Sequence, residues 1–200
     1  SVDFVTPLEG WAGVVRPWAK DWLASTNVML RTLDGGATWI EQSLGMTVGQ
    51  VGIDFINTSN GWAVGYSGRI SYTSNGGANW TSQTSGTTNN LRGVSFIDTS
   101  NGWAVGDSGI ILRTSDGGTT WINQTSNTTS TLYSVSFIDV SNGWVVGSSG
   151  TILHTSNGGS AWTSQTSNTT NSLNGVSFVD ANNGWVVGRS ATIRHTSDGG

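Results

Sequence analysis

The sequence contains no cysteine, which removes disulfide frameworks and thiolate metal sites from consideration. Proline is scarce, with 2 residues in 200, and charged side chains make up only 10% of the chain, for a formal net charge of −4. Lysine occurs once, at Lys20, and the arginines are scattered. A groove that tracks nucleic acid needs those residues clustered, so nucleic acid is not expected as a partner. No apolar run approaches the ~18 residues of a membrane span. Histidine occurs only at His154 and His195, equivalent positions with no evident third ligand, so neither a metal nor another cofactor is expected.

What the chain has in quantity is periodic. Asn-Gly-Trp places Trp62, Trp103, Trp144 and Trp185 at steps of 41 residues, and Trp11 holds the same position in the first unit. A second tryptophan follows a Gly-Gly pair at Trp39, Trp80, Trp121 and Trp162, again at steps of 41. All phenylalanines, Phe4, Phe55, Phe96, Phe137 and Phe178, occupy one equivalent position. A fixed period of this size marks a repeat architecture. In the third unit the pattern predicts strands at Val94–Asp98, Trp103–Gly106, Ile110–Thr114 and Thr119–Gln124. The first is expected to be buried on both faces, the last to be a polar outer edge. Asn101-Gly102 is expected to make a positive-φ hairpin turn, with further turns at Asp107–Gly109 and Asp116–Gly118.

Four short antiparallel strands in about forty residues, repeated, predict an all-β fold, a β-propeller or an arc of one, with tryptophans between the blades. One repeat domain over 1–200 is expected. Its blades fall roughly at 1–44, 45–86, 87–127, 128–168 and 169–200, the last incomplete. The chain stops at Asp198-Gly199-Gly200, before a fourth strand. The expectation is therefore a longer array, or a neighbouring chain pairing with Thr192–Thr196 in self-association.

The unit that contains Gly-Trp-Ala-Val-Gly and Ser115-Asp116-Gly117-Gly118-Thr119-Thr120-Trp121 resembles Asp-box (BNR) repeats. It is most similar to those of photosystem II stability/assembly factor-like propellers. Sialidases share the box, and that resemblance would imply an arginine triad and a tyrosine nucleophile with a carboxylate partner. Glycosidases generally need two carboxylates across one bond, yet the aspartates recur at turn positions and the glutamates are only Glu9 and Glu41. The chain is not read as an enzyme. The box position itself reads Asp34, Asn75, Asp116, Asn157 and Asp198. Asparagine cannot act as a general base, so the shared role is to accept hydrogen bonds across the turn.

One place breaks the period. Trp11 to Trp62 spans 51 residues, ten more than the repeat, and the excess falls at Arg16–Trp22. Insertions in repeat proteins map to loops, often on a binding face, so Arg16, Trp18, Lys20 and Trp22 form the candidate binding loop. Arg69, Arg92 and Arg189 either share one face or are dispersed charge. Asn57, Asn79, Asn123, Asn127 and Asn168 satisfy Asn-x-Ser/Thr. With low charge and no cysteine, they point to an extracellular or cell-surface scaffold that binds a protein and can carry or bind glycan. The alternative is an assembly chaperone resembling the photosystem II factors, in a thylakoid lumen or periplasm.

Overall fold

Short apolar runs separated by glycine-rich turns bury their side chains by pairing into sheets. The computed structural model describes residues 1–15, 27–42 and 50–200, in which nineteen strands and no α-helix occur. The fold is all-β and of the β-propeller class, each sheet an antiparallel meander in which strands pair in chain order. Two compact units divide the chain, Ser1–Leu91 and Arg92–Gly200.

The first unit holds two four-stranded sheets. One runs β1 (Val2–Phe4), β2 (Gly10–Val15), β3 (Asn27–Thr32), β4 (Ile40–Gln42). The other runs β5 (Gln50–Phe55), β6 (Gly61–Gly65), β7 (Ile70–Thr73), β8 (Thr81–Gln83). Trp11, from β2, lies flat on Phe55 of β5, with centroids 3.8 Å apart and planes at 6°. Its indole N–H donates to the Gly76 carbonyl at 3.0 Å. Met29, Ile53 and Ala63 complete this core, and the Asp3 carboxylate accepts the Phe55 N–H at 2.6 Å.

The second unit repeats that arrangement. Its strands are β9 (Leu91–Phe96, beginning one residue before the unit), β10 (Gly102–Gly106), β11 (Ile111–Thr114) and β12 (Ile122–Gln124); then β13 (Leu132–Phe137), β14 (Gly143–Gly147), β15 (Ile152–Thr155) and β16 (Thr163–Gln165); then a three-stranded sheet of β17 (Leu173–Phe178), β18 (Gly184–Gly188) and β19 (Ile193–Thr196). Trp103 stacks on Phe137 at 3.5 Å and 6°, and Trp144 on Phe178 at 3.6 Å and 4°. Their indoles donate to Gly158 and Gly199 carbonyls, both at 3.1 Å. In place of Asp3, the Ser95 and Ser136 hydroxyls accept the N–H groups of Phe137 and Phe178. Of the tryptophans expected between blades, Trp11, Trp103 and Trp144 lie there, whereas Trp185 is exposed.

Three local expectations need correcting. The first strand of the third sheet starts earlier than the hydrophobic alternation suggests, at Leu91, and ends at Phe96; Asp98 sits exposed in the following turn. The fourth is confined to Ile122–Gln124, because Thr119–Trp121 belongs to the Asp-box turn. Neither Asn101 nor Gly102 takes a positive φ. The turn is closed instead by the Asp98 carboxylate, which accepts the N–H groups of Ser100 and Asn101, both at 2.7 Å. Gly102 is needed for room: a Cβ there would run into the Phe96 ring. Gly61, Gly143 and Gly184 lie equally close beneath Phe55, Phe137 and Phe178.

Removing a fully buried ring leaves a cavity that the sheets cannot close. Trp103→Ala and Trp144→Ala are each expected to lose about 3–5 kcal/mol, and Trp185→Ala much less. Urea melts of the three variants check this; equal losses would contradict the inter-sheet role.

Candidate functional site

Each blade has two ends of different character. At one end the first-to-second-strand turn abuts the Asp-box, as in the Gly117 N–H to Ser100 carbonyl bond of 2.9 Å. Within the box the buried Thr114 hydroxyl donates to Asp116 Oδ1 at 2.8 Å and accepts the Gly118 N–H at 2.8 Å. Oδ1 also takes the Thr120 N–H at 2.9 Å. The asparagine boxes make the same bonds through Asn75 and Asn157. Only the aspartate boxes add a hydroxyl on Oδ2, from Thr38 at 2.6 Å and Thr120 at 2.5 Å. The asparagine boxes have Asn79 and Ala161 at that position, so carboxylate and threonine occur together. Hydrogen bonds from Thr38 and Thr120, first their hydroxyls and then their backbone N–H groups, hold Asp34 and Asp116 at a pKa of about 2. This end is a fastening.

The other end is assembled from the second-to-third-strand turn and the linker that follows the fourth strand. Ser67, Ser108 and Ser149 sit at φ of 55°, 58° and 55°, each followed by a glycine whose Cβ would strike the Thr87, Thr128 or Thr169 carbonyl. The linkers are pinned internally, the Ser126 hydroxyl donating to the Thr128 carbonyl at 3.2 Å. Between turn and linker lie shallow clefts of mixed lining. One is bordered by Ser67, Arg69, Thr87 and Asn89, another by Ser108, Ile110, Asn127 and Thr129. The backbone is the same from repeat to repeat, but the outer side chains are not. Tyr66 and Arg69 give way to Asp107 and Ile110, then Ser148 and Thr151. At the box end the four segments Thr73–Gly77, Thr114–Gly118, Thr155–Gly159 and Thr196–Gly200 differ only by Asn or Asp.

The family described as Photosynthesis system II assembly factor YCF48 matches residues 37–125, 82–169 and 121–200. The chain belongs to that family. No curated protein matches it. A solved structure titled "YCF48 bound to D1 peptide" is similar with a TM-score of 0.71 at 18% identity, over 97% of this chain and 63% of that one. This chain thus spans less than two thirds of that YCF48. YCF48 from Cyanidioschyzon merolae aligns with a TM-score of 0.52 at 18% identity, over 94% of this chain and 76% of that one. A streptogramin B lyase aligns with a TM-score of 0.68 at 14% identity, over 97% of this chain and 67% of that one. At such identities the structures show the fold alone.

Arg16, Trp18, Lys20 and Trp22 of the candidate binding loop lie outside the described residues. The box tryptophans pack edge-on against phenylalanine, for example Trp121 on Phe96 at 5.8 Å and 85°, and Trp39 on Phe4 at 6.0 Å and 82°. Trp80 and Trp162 meet Phe55 and Phe137 in the same way. Asp198 closes its box through Thr196. Of the sequons, Asn57 stands where the other blades have Asp98, Asp139 and Asp180, and accepts from Ser59 and Asn60. Asn127 and Asn168 take φ of 57° and 53°, at the position where the second blade has Gly86 at 74°. They are exposed, as are Asn79 and Asn123, but the left-handed backbone already accounts for asparagine there.

Arg31, Tyr72, Arg113, His154 and His195 hold one equivalent position, and each covers a tryptophan. Arg31 and Arg113 lie over Trp11 and Trp103 at 5.4 and 5.7 Å; Tyr72, His154 and His195 cover Trp62, Trp144 and Trp185. Of these, His195 is exposed and the others partly buried. Burial lowers the pKa of His154. Arg31 also pairs with Glu9, its Nε donating at 3.0 Å. Arg92 is held by Asp107 through bonds of 2.9 and 3.0 Å, whereas Arg69 and Arg189 are exposed. The outer turn side chains Tyr66, Arg69, Asp107 and Ile110 were not singled out as a group by sequence motifs. Their signal was difference between repeats rather than recurrence.

The depressed carboxyl pKa values make acid stability a test of the boxes. A folded pKa below the ordinary 3.8 contributes stability that is present above about pH 4 and is lost as pH falls through about 2. Asp34→Asn/Asp116→Asn should therefore show a modestly lower Tm than the parent at pH 7 and a shallower fall between pH 5 and 2, the two proteins converging in acid. Thermal melts across that range decide it.

Proposed function

We propose that this chain is a non-catalytic assembly factor that holds an extended segment of a partner protein at the Ser-Gly-turn and linker end of its blades. The observation that carries this reading is the contrast between ends: recurring side chains at the box end, and at the other varied ones, exposed or half-buried, on a common backbone. A backbone held constant while its side chains vary is how a scaffold presents a recognition surface. Membership of the YCF48 family supports the assembly reading over that of an extracellular scaffold, and a YCF48 has been solved with a D1 peptide. On this reading the chain works in a lumen or periplasm, and glycan is not its ligand. The insertion with Arg16, Trp18, Lys20 and Trp22 falls between β2 and β3, the connection that in the next three blades is the Ser-Gly turn, so it is a candidate for the same recognition.

Fluorescence anisotropy with a labelled D1 peptide tests the proposal. Arg69→Glu, and separately deletion of residues 16–22, should each weaken binding about tenfold, or ~1.4 kcal/mol, without altering the urea midpoint. Ser115→Arg at the box end should leave affinity unchanged. Failure of the parent chain to bind, or equal loss from the box-end variant, would reject it.

A further inference from the structure

The first strands carry a residue that the sheet ladder sets apart. Leu132 pairs with Gly147 and Ser134 with Val146 across β13 and β14, so Tyr133 is an extra residue, a β-bulge. Asn174 is the extra residue in the same way between β17 and β18. A bulge leaves its residue out of the pairing and re-aims its side chain. Where that position can reach is shown one blade earlier. Arg92, its equivalent in the third blade, bonds Asp107, which opens the Ser-Gly turn. In the fourth blade the same two positions hold Tyr133 and Ser148. The Ser148 N–H donates to the Thr131 carbonyl at 2.8 Å, which holds that turn against the start of β13.

The two blades differ in what they leave for a ligand. In the third, guanidinium and carboxylate satisfy each other. In the fourth, Tyr133 is half-buried, and its hydroxyl has no hydrogen-bond partner among the described residues. Tyr72, by contrast, gives its hydroxyl proton to Asn60 at 2.5 Å. The strand that carries Tyr133 is braced on both sides. The Phe137 N–H donates to the Ser95 hydroxyl of β9, and the Val176 N–H of β17 to the Ser134 hydroxyl, both at 3.3 Å. An aromatic ring with an open donor thus stands on rigid backbone, beside the turn at the varied end.

The geometry points to Tyr133 as the anchor for one residue of the partner segment, an inference that rests on the recognition end proposed above. An extended chain presents main-chain carbonyls that need donors once water is excluded. The Tyr133 hydroxyl donates to one of them, while its ring packs on the apolar side chain alongside. Tyrosine combines those two contacts in one side chain, which is why it recurs at the centre of interfaces. The ligand class is therefore an extended peptide with an apolar side chain beside an unpaired carbonyl.

Anisotropy with the labelled D1 peptide, run beside urea melts, tests this. Tyr133→Asn installs the residue that the next blade already holds at this bulge, so the backbone accommodates it. It should weaken binding about tenfold, as loss of an aromatic anchor does, at an unchanged urea midpoint. Tyr133→Phe keeps the ring and should weaken binding about threefold through the lost hydrogen bond. Alanine scanning of the peptide should find one apolar residue whose loss costs the parent but not Tyr133→Asn. A parent that binds no better than Tyr133→Asn overturns the inference and leaves the recognition end standing. So does a peptide scan with no such residue, or a loss in both variants that comes with lower urea midpoints, which would make Tyr133 structural only. A parent that does not bind at all overturns the recognition end and the anchor together.

Discussion

The flat stack of a tryptophan on the next sheet's phenylalanine governs most of what this chain can vary. At 3.5 to 3.8 Å between centroids, two large rings fill the gap between sheets with little freedom to shift. The phenylalanine must also lie across its own sheet, which forbids a Cβ at the second-strand glycine beneath it. The indole N–H, buried by the stack, requires an acceptor, since an unpaired buried donor costs roughly 1–3 kcal/mol. The box glycine carbonyl supplies one. Tryptophan, phenylalanine, glycine and box are therefore one constraint expressed four times along each repeat.

Much of this was legible in sequence, because periodicity reports shared constraints directly. The step between Trp103 and Trp144 announced a propeller-type repeat, and the exchange of Asp116 for Asn157 announced a hydrogen-bonding carboxylate. What escaped was the reason for particular residues. Gly102 reads like half of an Asn-Gly hairpin signal, but its role is to make room for Phe96, six positions earlier and paired with it across the strands. Asn127 reads like a glycosylation acceptor, and it also takes the left-handed backbone that Gly86 takes in the second blade. The candidate site was hard to see for a related reason. Motif reading looks for recurrence, and the outer side chains of the Ser-Gly turns are defined by failing to recur.

The two ends of the blade divide recurrence from variation. Carboxylates and threonines at the box end satisfy one another within a few residues, leaving little there for a partner to use. At the other end the Ser-Gly turns and linker serines use backbone groups for support, so the outer side chains of each repeat are released to change. Fastening and display can then evolve separately within one 41-residue unit.

That division also sorts charge. In the second unit Asp98, Asp116, Asp139, Asp180 and Asp198 all lie at the box end, with Arg113 lying over Trp103. Arg92, Asp107, Arg189 and Arg194 lie towards the linkers. This unit is thus a permanent dipole along its strands, anionic at the fastened end and cationic at the varied one. Hydrogen bonding lowers the pKa of these box-end carboxylates, which favours the charged form at that end. An approaching acidic partner meets a torque before it meets a contact, over the roughly 8–10 Å that salt leaves unscreened. The torque turns the varied end toward any such anion at no cost in conformational order.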